Sequence, residues 1–169
     1  KDRFRGLVLA NTAALVPRRP LRTSAFHRFS HLPGVSTLAF RGLGFPVPIL
    51  SRLQGDPRSL GPAEIRAYGW PLRSWRLRAG PLAMARMVPD REGHPTLGVL
   101  DETDAFLRSY RGPAALVWGT RDPILGRAHH RLSEALPHAT VELTEAGHFL
   151  QEEVPDRLAA AIERVASAA

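Results

Sequence analysis

The hydrophobic positions of this chain fall into two patterns. Short apolar runs closed by polar or glycine residues occur in "FRGLVLANT" (residues 4–12), "GPAALVWGTRD" (112–122) and "ATVELTEAG" (139–147). Unbroken apolar runs of this length, bounded by turn residues, read as buried strands of a parallel sheet. Helical spacing governs the intervals between them. "GRAHHRLSEALP" (126–137) predicts a short helix ended by Pro137, and "DETDAFLRSY" (101–110) predicts a helix leading into the second run. After residue 148, Val154, Leu158, Ala161, Ile162 and Val165 recur at helical intervals and predict an amphipathic closing helix. The order strand, helix, strand, helix implies an α/β fold, a parallel sheet with helices packed on it.

Residues 17–95 break this rhythm. They are rich in Pro, Gly and Arg, with short apolar stretches such as "STLAFRGLGFPVPIL" and "PAEIRAYGW". A block this long between two strands of one sheet exceeds any ordinary loop. It predicts an inserted subdomain of short, frequently broken helices. The expected organisation is an α/β core made of residues 1–16 and 96–169, interrupted by a helical subdomain over 17–95.

Composition narrows the function classes. The chain has 169 residues and an apolar fraction of 44%, which suits a folded protein and excludes a disordered one. No apolar run reaches the roughly 18 residues of a membrane span, and the start lacks the layout of a signal peptide. The absence of cysteine excludes a disulfide framework and a thiolate metal site. A cytoplasmic protein without a membrane partner is the expectation. The net charge of +7 raises nucleic acid as a partner. Its distribution argues against that: Lys1 is the sole lysine, and the arginines are spread out, as in "RLRAGPLAMAR", rather than gathered in a stripe. His129 and His130 are adjacent, whereas a helical metal site needs ligands one turn apart. They read as solvated side chains, and no metal or cofactor is expected.

The candidate chemistry lies just past two strand ends. Asp122 follows the second run and His148 the third, at the carboxyl edge where open parallel sheets bind ligands. Neighbouring strands lie about 4.8 Å apart, so the two side chains are within reach of a hydrogen bond. A carboxylate there fixes the imidazole tautomer and stabilises its charged form, leaving the other ring nitrogen as a general base. Each residue alone has an ordinary reading: Asp-Pro in "TRDPILG" opens turns, and a lone histidine is commonly structural. Glu145 is a rival orienter in principle, but its strand position points it away.

"WGTRDPILG" followed by "LTEAGHFLQEEVPDRLAAAI" resembles the end of the α/β-hydrolase family, whose triad runs nucleophile, acid, histidine along the chain. "PAEIRAYGWPLRSWRLRAGPLAMARMVPD" resembles the cap of haloalkane dehalogenases and their relatives, and "LVLANT" the strand leading into it. The resemblance covers nearly the whole chain. It implies that Asp122 is the triad acid and His148 the base. Some of these enzymes carry the acid after the earlier strand, but that position here reads "LANTAAL", without an acidic residue. Phe40, Phe45, Trp70 and Leu72 are candidate walls of an apolar substrate pocket; Phe40, Phe45 and Leu72 have an equal claim as core, and for Trp70 packing in the cap core is the favoured reading.

Neither Gly-x-Ser-x-Gly nor Gly-x-Asp-x-Gly occurs in the sequence, so the nucleophile elbow of the family has no counterpart. The chain therefore reads as the C-terminal part of such a hydrolase, without the N-terminal half of the fold and inactive alone. An aspartate nucleophile implies haloalkane or epoxide chemistry; a serine implies an esterase. "WPLRSW" departs from the family at Trp70 and Trp75, which weakens the dehalogenase reading. "NTAAL" and "SW" resemble the β-lactone decarboxylases of the same fold. Tyr68 and Tyr110 match the paired cap tyrosines of epoxide hydrolases only weakly, since Tyr110 falls outside the cap. A truncated, non-catalytic remnant acting through a partner is the remaining alternative. An open edge at the first strand predicts self-association or a partner there.

Overall fold

The computed structural model describes residues 4–18, 21 and 24–169. Lys1 and residues 2 and 3 of the expected core, and 19, 20, 22 and 23 of the expected helical block, lie outside the described residues. The three apolar runs are strands, β1 (Leu7–Ala10), β2 (Ala114–Gly119) and β3 (Thr140–Thr144), in one parallel sheet of order β1-β2-β3. The register sets Leu7 opposite Ala114 and Gly119 opposite Thr144.

β2 is the central strand, and all six of its residues are buried. That double burial is why its apolar run is unbroken. Ala114, Leu116 and Trp118 face one cluster with Leu107, Tyr110, Leu132 and Leu136. Ala115 and Val117 face the other, with Ala146, Leu150, Ala161 and Val165. β3 corrects the expectation of a buried strand. It is an edge strand, and Val141 and Leu143 are 44% and 52% exposed.

The helices are α1 (Ala25–Ser30), α2 (Val35–Thr37), α3 (Pro62–Gly69), α4 (Ala79–Arg86), α5 (Thr96–Ser109), α6 (His129–Ala135), α7 (Leu150–Glu153) and α8 (Pro155–Ser167). α5 starts at Thr96, ahead of the predicted Asp101. The closing segment is two helices rather than one. Pro155 lacks an N–H and forces Val154 out of helical geometry, so α7 ends there and α8 starts with proline in its first turn. Leu158, Ala161 and Val165 of α8 pack on the sheet. Ile162 does not: it lies roughly 60° round the helix from Val165 and is 50% exposed.

The chain divides into two compact units. One comprises Lys1–Leu15, Arg52–Ser59 and Glu102–Ala169 and carries the sheet; the other comprises Val16–Ser51 and Leu60–Asp101. Arg52–Ser59, inside the expected helical block, thus belongs with the sheet. The second unit contains α1 to α4 with π- and 3-10-helical turns between them. Its core is Phe40, Leu82 and Ala85, with Phe29, Ala39 and Phe45 packed against them. Arg86 braces it, donating to the Ser30 carbonyl at 2.9 Å and to Ser36 Oγ at 3.0 Å.

Candidate active site

The loops after β2 and β3 continue to pair beyond the strands. Thr120 N–H donates to the Thr144 carbonyl at 2.9 Å and Arg121 N–H to the Ala146 carbonyl at 3.1 Å. Gly119 permits this approach, and Gly147 lets the segment at Gln54 and Gly55 close on the loop after β3. A Cβ on Gly119 would collide with the Ala146 and Gly147 carbonyls, and one on Gly147 with the backbone of Gln54 and Gly55. These two loops deliver Asp122 and His148 to each other.

Asp122 Oδ2 lies 2.9 Å from His148 Nδ1. The Asp122 side chain has no exposed surface, whereas that of His148 is 25% exposed. Asp122 Oδ1 accepts the Ile124 N–H at 2.7 Å. Burial pushes the Asp122 carboxyl up. The His148 hydrogen bond and the backbone N–H groups of Ile124 and Leu125 outweigh burial, and the carboxyl is held below its ordinary value. An ionised carboxylate only accepts, so His148 Nδ1 carries the proton and Nε2 is left as the basic nitrogen.

The backbone around His148 is tied down by residues that the sequence did not mark. His148 N–H donates to the Leu53 carbonyl at 2.8 Å. Gln54 brackets Phe149, accepting from its N–H at 2.9 Å and donating to its carbonyl at 3.2 Å. The Glu153 carboxylate accepts the N–H groups of Gly55 at 3.0 Å, Asp56 at 2.6 Å and Gly147 at 2.6 Å. Asn11, directly after β1, bonds to the end of β2 and to the loop that follows β3. An asparagine directly after an apolar strand is the one signal that could have found Asn11. Nothing local in the sequence marks Gln54 or Glu153, because their partners lie far away along the chain.

The remaining candidates behave differently. Glu145 does not approach His148; it is exposed and pairs with Arg121 at 2.6 Å. His130 is exposed, but His129 corrects its reading as solvated: it is buried, and its Nδ1 lies 2.9 Å from the Gly126 carbonyl. Phe40, Phe45, Trp70 and Leu72 all belong to the helical unit. Phe40 is 1% exposed and packs as core, edge to face with Phe45 at 5.1 Å. Leu72 is half-buried, and its carbonyl accepts from Arg78. Trp70 is 70% exposed, with the Arg73 guanidinium 4.9 Å above its ring. A groove of about 460 Å³ runs along β3 past Glu142, Thr144 and Arg157, and neither Asp122 nor His148 lines it.

A parallel sheet flanked by helices on both faces, matching solved structures along almost its whole length, defines the C-terminal portion of an α/β-hydrolase fold. The haloalkane dehalogenase DatA of Agrobacterium tumefaciens superposes with a TM-score of 0.79 at 22% identity, over 99% of this chain and 60% of that one. DbeA of Bradyrhizobium elkani gives 0.78 at 23% identity, over 98% and 60%. Curated sequences narrow the class. Haloalkane dehalogenase 2 of Mycobacterium tuberculosis is 31% identical over 95% of this chain and 55% of its own length. A haloalkane dehalogenase of Mycolicibacterium paratuberculosis is 28% identical over 98% and 52%. The chain belongs to the haloalkane-dehalogenase-like branch of the α/β-hydrolase superfamily, and it spans about half the length of the curated relatives it matches. No family model matches it. Among the described residues, no helix is long and apolar enough to cross a membrane.

Proposed function

We propose that this chain supplies the acid and the base of a covalent hydrolase of the haloalkane-dehalogenase type. The observation that carries the reading is the 2.9 Å contact between an ionised, buried Asp122 and His148 at the carboxyl edge of a parallel sheet. The nucleophile is an aspartate outside these residues. Its carboxylate attacks an sp³ carbon of a small apolar substrate, and the halide leaves with the bonding pair. His148 Nε2 then takes a proton from water, and the hydroxide adds to the carbonyl carbon of the resulting ester. Collapse of that adduct, with its hydroxyl proton passing to the departing alkoxide, releases the alcohol and regenerates the carboxylate, and the imidazolium gives its proton to solvent. Asp122 stabilises the imidazolium that forms and holds the tautomer that can form it. Alone, the chain forms no ester and turns nothing over.

The test uses the polypeptide as its source organism makes it, with wild type compared to His148→Gln. Halide release from 1-bromobutane is measured alongside intact mass. The expected result is turnover by the wild type and an alkyl adduct that accumulates on the variant, because ester formation no longer leads to hydrolysis. Absence of both halide and adduct overturns dehalogenation. Hydrolysis of an epoxide, a β-lactone or a p-nitrophenyl ester in its place transfers the same pair to that chemistry. Inactivity on all of them leaves the remnant reading.

A further inference from the structure

Asn11 is the residue that ties the end of β1 to the end of β2 and to the loop after β3. It directly follows β1 and is 7% exposed. Its φ is +35°, a region that side-chain-bearing residues rarely enter and that asparagine tolerates best. Both ends of its carboxamide are engaged. Oδ1 accepts the N–H of Gly119, the last residue of β2, at 2.8 Å. Nδ2 donates to the Gly147 carbonyl at 2.6 Å and to the His148 carbonyl at 3.3 Å. These contacts cross 108, 136 and 137 residues of sequence.

The groups it holds are those that carry the Asp122–His148 pair. The Gly119 carbonyl accepts the Asp122 N–H at 3.3 Å, so fixing Gly119 fixes the start of the turn that presents the carboxylate. The His148 carbonyl is itself a partner of the amide. One planar side chain thus spans the root of the acid loop and the root of the base loop. The chemistry of the contact demands both a donor and an acceptor. An aspartate of the same shape still accepts from Gly119 but turns a carboxylate oxygen toward two carbonyls. Leucine leaves a buried N–H and a buried carbonyl without partners.

We infer that Asn11 is a positioning residue: its carboxamide, bonded to Gly119 and to Gly147 and His148, sets the separation at which His148 meets Asp122. The inference rests on reading that pair as acid and base, but its first readout needs no turnover. Asn11→Gly is the informative variant. Glycine adopts the positive φ without penalty, so it deletes the three hydrogen bonds and leaves the backbone unstrained. Asn11→Asp, nearly isosteric, is the second variant should the first fail to fold. Leu132→Ala, a buried truncation in α6, controls for lost stability alone.

The measurement is ¹⁵N and ¹H NMR of the His148 imidazole in the full 169-residue chain. Wild type is expected to show a protonated Nδ1 whose proton exchanges slowly with water. Either Asn11 variant is expected to speed that exchange by about tenfold or more, or to shift the tautomer mixture toward Nε2–H, whereas Leu132→Ala changes the exchange by less than about twofold. A folded Asn11 variant with wild-type His148 signals overturns the inference and leaves Asn11 a strap between strands. Equal changes in the Leu132→Ala control also overturn it. Altered His148 signals in the Asn11 variants, combined with no turnover of any substrate class by the natural polypeptide, support the positioning role and overturn only the hydrolase reading.

Discussion

Replacing Asp122 with asparagine keeps the shape of the side chain and removes its charge. The carboxylate accepts from His148 at 2.9 Å and from Ile124 at 2.7 Å, with none of the side chain exposed. Asparagine still accepts from Ile124, but its amide N–H then faces the Nδ1 proton of His148. That bond is lost, or the imidazole proton moves to Nε2 and a neutral bond replaces a charged one. A charge-assisted hydrogen bond contributes about 1.5–3 kcal/mol and a neutral one about 0.5–1.5 kcal/mol, so the expected cost at neutral pH is about 1–2 kcal/mol. The partial exposure of His148 favours the lower end. The pH dependence follows from the depressed carboxyl. In the unfolded chain Asp122 titrates near about 3.9, above its folded value. The unfolded state therefore binds the proton first as the solution is acidified, and the stabilisation is complete above that pH and lost as pH falls through the folded value. The difference between wild type and Asp122→Asn should be present at neutral pH and shrink below about pH 4. Urea unfolding of both chains followed by circular dichroism, at several pH values and equal slopes, measures it. A difference that is absent at neutral pH, or that stays unchanged well below pH 4, refutes the reasoning.

Other consequences are open to the same kind of measurement. Trp118 has no exposed surface, and its indole N–H donates to the Leu125 carbonyl at 2.9 Å; Trp118→Ala should cost about 3–5 kcal/mol in a urea titration, and a cost below about 1 kcal/mol would contradict its place in the core. Glu153→Gln removes the charge from an acceptor of three backbone N–H groups; hydrogen exchange at Gly55, Asp56 and Gly147 should accelerate by about tenfold or more, while exchange at the buried centre of β2 moves far less. Gly147→Ala drives a methyl into the backbone of Gln54 and Gly55, so its thermal midpoint should fall and the His148 signals should shift; an unaltered melt would show that this backbone yields. Among the described residues β1 pairs with β2 alone, and sedimentation velocity over a range of concentrations should show association through that edge. A monomer at every concentration would remove the proposal.

The parallel sheet, the order of its elements and the Asp122–His148 pair were legible in the chain itself. The reason is local. An unbroken apolar run such as "AALVW" has few solutions other than a strand buried on both faces, and a residue just past such a strand must stand at the sheet's carboxyl edge. Sequence spacing also revealed the amphipathic face of α8, except at Ile162, where the stripe ends and only packing distinguishes inside from outside. The exposure of β3 was hidden because an edge strand and a central strand have similar propensities; burial depends on neighbours that the strand does not encode.

What the sequence by itself determined is therefore the class of fold and the identity of the two groups that meet. Only the tertiary structure decided how they are held. Asn11, Gln54 and Glu153 act through hydrogen bonds to backbone groups about a hundred residues or more away in several cases. A backbone N–H or carbonyl is the same in every residue, so a side chain's choice among them leaves no mark in composition, periodicity or motif. That choice becomes visible once folding brings the three strand ends together.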